Sequence, residues 1–148
     1  MVEPVAPIVD RDQEPRFELA GNTRGEVMLA WGGHDTVITQ LFDSRGRPQT
    51  EPVLVHRDMV AAGLCPSNTS SCDFDAHPAL AAGPDGDFVL LWVTGYHSGH
   101  HGGTTAYSRR FDVETRSWGE IVSLGSVQGA TEVDNPRVAR SASRASWW

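Results

Sequence analysis

The chain contains no lysine: all twelve of its cationic side chains are arginine, against nineteen acidic residues, for a net charge of −7. An acidic chain without a basic stripe argues against nucleic acid and against anionic membrane surfaces as partners. No apolar stretch approaches the roughly 18 residues of a membrane-spanning helix, so membrane insertion is not expected. No window of about 11 residues carries apolar positions at helical spacing, so no helix is expected. There is no Gly-x-Ser-x-Gly, which leaves serine nucleophile chemistry without support. Only two cysteines occur, Cys65 and Cys72, and they do not form a Cys-x-x-Cys metal motif.

Turn formers and a repeat are what the sequence does have. Fifteen glycines and nine prolines punctuate short apolar runs, as in an all-β protein rich in turns. One run reads Leu19-Ala20, Gly25, Val27-Met28-Leu29-Ala30-Trp31, Phe42-Asp43, Glu51. A second reads Leu80-Ala81, Gly86, Phe88-Val89-Leu90-Leu91-Trp92, Phe111-Asp112, Glu120. Alanine to tryptophan is 11 residues in both, glycine to tryptophan is 6, and Phe-Asp to glutamate is 9. Two copies of one template at a period of about 60 residues indicate stacked β-units.

Each copy parses into four antiparallel strands. A Leu-Ala strand leads to a tight turn, Asn22-Thr-Arg-Gly25 or Gly83-Pro-Asp-Gly86. In the second turn proline presets φ, aspartate bonds its own backbone and glycine takes positive φ. The continuous apolar run ending in tryptophan is a strand buried on both faces. A third strand ends at Phe42 or Phe111, and a fourth begins at Glu51 or Glu120. Pro52 suits an outer edge strand, where a missing ladder donor is tolerated. Trp31, Trp92, Phe42 and Phe111 are expected in the core. Asn135-Pro-Arg-Val-Ala139 parallels His77-Pro-Ala-Leu-Ala81 as the start of a third copy, but no apolar run follows. The expected fold is all-β: two four-stranded antiparallel propeller-blade-like repeats plus a partial third, an incomplete propeller. The boundaries are an N-terminal extension 1–14, repeat 1 at 15–55, a connector with the cysteine loop at 56–77, repeat 2 at 78–124, and a linker with a truncated repeat at 125–148. Open sheet edges then invite self-association.

The copies differ in length at two main places. Trp31 to Phe42 is 11 residues while Trp92 to Phe111 is 19, which places an inserted loop, Val93–Thr104, between second and third strands. The connection from fourth strand to next first strand is also longer after repeat 1. In an up-and-down unit both emerge at one end, where long loops on a rigid scaffold carry function. That end gathers the candidate binding residues His34 and Asp35, Asp73, Asp75 and His77, and Tyr96, His97, His100 and His101. Imidazoles with carboxylates can hold zinc or another divalent transition metal; the competing reading is a solvated histidine-rich loop, and no cofactor is expected. Asp85-Gly-Asp87 reads as a hairpin turn rather than a calcium loop. For glycoside hydrolysis, which needs paired carboxylates or an activated tyrosine, Asp73, Asp75, Glu132 or Tyr96 are available, but no spacing singles them out. Arg109-Arg110 reads as a basic pair with one side chain on each face of a solvated outer strand.

Cys65 and Cys72 bracket Pro-Ser-Asn-Thr-Ser-Ser, a polar run of turn formers. A disulfide closing a small loop in an oxidising compartment is the expected pairing, and Asn68-Thr69-Ser70 is formally a glycosylation sequon. Met1-Val-Glu-Pro-Val-Ala-Pro7 carries neither a basic start nor an apolar stretch and does not read as a signal peptide.

His77-Pro-Ala-Leu-Ala-Ala-Gly-Pro-Asp-Gly-Asp-Phe-Val-Leu-Leu-Trp92, with Ala106-Tyr-Ser-Arg-Arg-Phe-Asp112 and Gly119-Glu120, resembles the repeats of bacterial secreted β-propeller proteins, both sialidase-like propellers and repeats-in-toxin-associated proteins. The resemblance covers 17–55 and 78–124, and 135–139 faintly. It implies export to the cell surface or beyond. The sialidase Asp-box, Ser-x-Asp-x-Gly-x-Thr-Trp, does not occur and no arginine triad transfers, so no catalytic residue is carried over. The expected function is a non-catalytic propeller-type module presenting one loop face to a glycan or protein. The alternatives are a fragment of a sialidase-like glycoside hydrolase and a metal-binding module through the histidine loop. The disulfide expectation is checked by alkylation and mass spectrometry of unreduced protein. No thiol should react until reductant is added; two alkylated cysteines beforehand refute the pairing.

Overall fold

A computed structural model describes residues 16–33, 36–65, 78–98 and 101–128. In chain order these form β1 (Arg16–Gly21), β2 (Val27–Gly33), β3 (Thr36–Phe42), β4 (Val53–Leu54), α1 (Val55–Ala61), β5 (Ala79–Ala82), β6 (Phe88–Ser98), β7 (His101–Asp112), β8 (Ser117–Trp118) and β9 (Val122–Gln128). One antiparallel sheet has the order β1-β2-β3-β4; the other has β5-β6-β7-β8, with β9 also on β7. The fold is mostly β, in two antiparallel meanders, and neither sheet closes on itself among the described residues.

Both meanders begin with the same turn. Asn22 N donates to Glu26 O at 2.9 Å and Gly25 N to Asn22 O at 3.2 Å; Gly83 N donates to Asp87 O at 2.8 Å and Gly86 N to Gly83 O at 3.0 Å. Gly86 sits at φ +93°, and a Cβ there would lie 3.3 Å from Arg24 Nε, so the turn needs glycine for both conformation and space. The Phe-Asp pair of the template serves the other turn of each copy. Asp43 Oδ1 accepts from the backbone N–H of Arg45 and Arg47, and Asp112 Oδ1 from those of Glu114 and Thr115. These bonds, chiefly those of Arg47 and Thr115, hold both carboxyls below the usual aspartate range.

Strand alternation decides which residues meet. Met28 and Ala30 of β2, with Val37 and Leu41 of β3, face the second sheet. Phe88, Leu90 and Trp92 of β6, with Tyr107 and Phe111 of β7, face back. These residues make up two buried clusters that join the sheets. Trp92 stacks on Tyr107 with centroids 5.8 Å apart, and Phe111 meets Trp118 edge-on at 5.2 Å. Equivalent template positions therefore point opposite ways: Met28 and Ala30 face inward in the first sheet, Phe88, Leu90 and Trp92 in the second. On the other faces Val27, Leu29, Val89 and Leu91 are only partly buried, so burial on both faces of these strands is incomplete. Trp31, Trp92 and Phe111 are buried as expected, whereas Phe42 is half-buried on the outer face of the first sheet.

Three expectations need correction. A helix does occur: α1 has one face, Val55 and Met59, buried to 1 % and 0 % exposure in the inter-sheet core. It has no side-chain N-cap, and at 7 residues it is too short for helical periodicity to register in the sequence; tertiary burial holds it. Val93–Thr104 is not simply a loop: β6 runs to Ser98 and β7 begins at His101, paired as Ser98↔His101 and His97↔Gly102. The eight extra residues of repeat 2 extend a hairpin into a ribbon. The fourth strand of repeat 2 is divided into β8 and β9, with a register shift opposite Ala106 and Tyr107.

Met59 links the helix to both sheets, because Trp92 Nε1 donates to Met59 Sδ at 3.2 Å inside the core. Met59→Ala should lower stability by about 2–4 kcal/mol through lost burial and a residual cavity. The check is a urea denaturation series, with the midpoint shifted and the slope unchanged.

Candidate functional site

Strand register fixes which end of the molecule carries the insertions. Ile38↔Leu54 sets the end of β4 beside the start of β3, and β3 starts at the β2–β3 hairpin. The chain leaves β4 into α1 at that same end. It returns into β5, whose first residue Ala79 pairs with Leu91, on the side of β6 that leads into the ribbon. The short hairpin, the ribbon and the connector beginning with α1 thus share one end.

Of the expected binding residues, Tyr96 and His97 lie on β6 and His101 at the start of β7. Their backbones pair as Tyr96↔Gly103, His97↔Gly102 and Ser98↔His101. His34 and Asp35, between β2 and β3 in sequence, lie outside the described residues. So do Asp73, Asp75, His77 and His100. Cys65 is 6 % exposed and packs in the inter-sheet cluster beside Met59 and Trp92, while Cys72 lies outside the described residues. Among the described residues no group of three or more His, Cys, Asp or Glu side chains is gathered as for a metal ion.

A second feature was not anticipated. Between the outer parts of the two sheets lies a cleft of about 270 Å³, lined among others by Thr39, Gln40, Asp58, Arg109, Arg116 and Trp118. Arg109 enters it from β7: Nη1 donates to Asp58 Oδ2 of α1 at 2.6 Å, Nε donates to Gly119 O at 2.9 Å, and the guanidinium lies 5.5 Å from the Trp118 ring centre. The Arg109 side chain is 12 % exposed, so the expectation of a solvated basic pair is corrected. Alternation does put Arg109 and Arg110 on opposite faces; Arg110 Nε donates to Asp87 Oδ2 at 2.7 Å and Nη2 to Asp85 Oδ2 at 2.8 Å. The Asp87 carboxylate raises the Arg110 pKa, and Asp87 Oδ1 also accepts Val113 N–H at 2.9 Å. Asp85 and Asp87 are thus built into a turn with an arginine counter-charge.

The cleft carries polar capacity that protein partners do not use. Thr39 Oγ1 is buried there without a hydrogen-bond partner among the described residues, while the Gln40 side chain, on the opposite face of β3, donates Nε2 to Thr50 O at 3.0 Å. Asp58 neutralises Arg109, and Glu26 pairs with Arg116, so the cleft offers hydrogen bonds rather than net charge. No local signal in the sequence marked it: β7 is itself largely polar, and the partner of Arg109, Asp58, lies 51 residues away.

Comparison with protein-family models, curated proteins and solved structures finds no match to this chain. Asp58 and Arg109 bridge the helix to the second sheet, and a double-mutant cycle with Asp58→Asn and Arg109→Gln isolates their pairing. A coupling of about 1 kcal/mol is expected for this partly exposed pair, read from chemical denaturation of the four proteins.

Proposed function

We propose that the chain is a non-catalytic repeat module of the propeller-blade type, belonging to a secreted or surface protein, that binds a glycan or a protein through its loop-bearing end. The observation that carries this reading is the position of the insertions. Relative to the shared template, the copies keep their turns and apolar runs and gain length in the ribbon and in the connector, at one end of the sheets. Scaffold segments conserve spacing because packing penalises change; segments free to vary at one end of a scaffold are where recognition resides. A Cys65–Cys72 disulfide would tie the connector to the buried Cys65 and limit the entropy lost when that end binds. The ribbon suits the same role, since a hairpin presents its tip with less conformational freedom than an open loop of equal length.

The test is a ribbon-shortened variant in which Gly95–Thr104 is replaced by Asn-Gly. Thr94 then faces Thr105 across a two-residue turn, as Gly33 faces Thr36 in the first sheet. The full chain should retain a subset of glycans on an array, or a protein ligand, without hydrolysing any glycoside. The shortened chain should keep its circular dichroism spectrum and lose that retention. Turnover of a sialoside or other glycoside by the full chain would sink the non-catalytic reading, and retention unaffected by the deletion would place recognition elsewhere.

A further inference from the structure

We infer that the cleft between the sheets binds a small, uncharged polyhydroxyl compound, a single sugar ring or a polyol of that size. Thr39 is the residue that sets the cleft apart. Alternation places it on the inner face of β3, between Val37 and Leu41 and opposite Ala30 and Val53. Those four neighbours are apolar, and the threonine is 1 % exposed. Its hydroxyl is buried with no hydrogen-bond partner among the described residues. A valine of the same shape would fill the position without the cost of an unpaired hydroxyl, so packing alone does not account for threonine here.

The rest of the cleft supplies donors and acceptors together. Among the described residues Arg109 commits two of its five N–H bonds, one to Asp58 Oδ2 and one to Gly119 O. Asp58 commits Oδ2 to that pair, which leaves Oδ1 as an acceptor beside the remaining guanidinium donors. An adjacent donor and acceptor match neighbouring hydroxyls, each of which both donates and accepts. The charges of Arg109 and Asp58 cancel, as do those of Arg116 and Glu26, which disfavours an ion as the occupant. Arg116 lines the cleft from a backbone at φ +57°, in the left-handed region, where the matching turn of the first sheet has Gly46 at φ +76°. An arginine held in a conformation that favours glycine puts a long donor side chain on the cleft.

Size narrows the class of occupant. At about 270 Å³ the cleft is smaller than the roughly 300–1,000 Å³ of pockets for drug-sized ligands, and it has room for about nine waters at ~30 Å³ each. One sugar ring fits that space and an oligosaccharide does not. Met28, Phe111 and Trp118 add apolar surface against which the C–H groups of such a ring can lie. None of the described lining residues belongs to the ribbon, so occupancy of the cleft is independent of recognition at the loop-bearing end.

Titration of the isotope-labelled full chain, followed by N–H chemical shifts, tests the inference. The probes are the methyl α-pyranosides of glucose, galactose and mannose, together with myo-inositol. At least one should shift the Trp118 indole and Arg109 Nε–H resonances saturably, with a Kd in the millimolar range, while sodium acetate and sodium sulfate do not. Thr39→Val should keep or raise the thermal midpoint, because it removes an unpaired buried hydroxyl, and should weaken binding by about tenfold. Val53→Phe, which projects into the cleft from its edge, should abolish the shifts, and the ribbon-shortened chain should bind as the wild type does. The absence of a saturable shift with any of these probes, saturation by the anions instead, or undiminished binding by Thr39→Val or Val53→Phe would each overturn it.

Discussion

Trp92 occupies the place where the two sheets and the helix come together, and the rest of the structure is arranged around keeping it dry. Its ring stacks on Tyr107 and its indole N–H finds Met59 sulfur as acceptor, so a large aromatic is buried at 0 % exposure without an orphaned donor. The inner faces of the two sheets, which also carry Thr39 and Arg109, do not supply all of its neighbours. The helix adds Val55 and Met59, and Cys65 belongs to the same cluster. Trp31, at the matching position of the first sheet, is also buried, but among the described residues its indole nitrogen has no hydrogen-bond partner. The template is thus satisfied fully in one copy and incompletely in the other.

The opposite end is held by polar contacts of a different kind. Asn22 Nδ2 donates to Gly86 O at 2.9 Å across 64 residues, and its Oδ1 orders its own turn by accepting from Arg24 and Glu26 N–H. One side chain therefore shapes a turn in the first meander and fastens it to the second. Glu26 and Asp87 follow the turn glycine in the two copies and are 8 % and 5 % exposed respectively, each held by an arginine. Buried carboxylates at equivalent positions need partners, and each copy finds its arginine on a different strand or turn. Apolar packing binds the sheets face to face, while these contacts fix how one is rotated on the other.

Much of this was legible in the sequence, and the misses have definite causes. The turns at Asn22–Gly25 and Gly83–Gly86 were readable because glycine and asparagine or aspartate have local reasons to be there. The central strands followed from continuous apolar runs. The ribbon was misread because Gly95, Gly99, Gly102 and Gly103 disfavour strand on local grounds, whereas pairing across the hairpin and with β9 is a long-range gain that no local window contains. Helix α1 escaped because a single short apolar face carries too few positions to show a period. Arg109 was assigned to solvent because its partner Asp58 is 51 residues away on that unanticipated helix. The residues proposed for binding were chosen by counting strands, and three of them, Tyr96, His97 and His101, fall on β6 and β7.

The two edges of each sheet differ in how they limit growth. Beyond β3 the first sheet adds an isolated bridge at Pro48 and the two residues of β4, which follow Pro52; neither proline has an N–H to offer. Beyond β7 the second sheet is edged by a two-residue strand, a gap and a strand entered through a register shift. A partner extending either sheet at these edges by main-chain hydrogen bonds would meet a short or interrupted ladder. The opposite edge of the first sheet is unlike them, because β1 offers six uninterrupted residues. The molecule is therefore polarised as a building block: the backbone frustrates growth beyond β4 and β9 and leaves it open along β1.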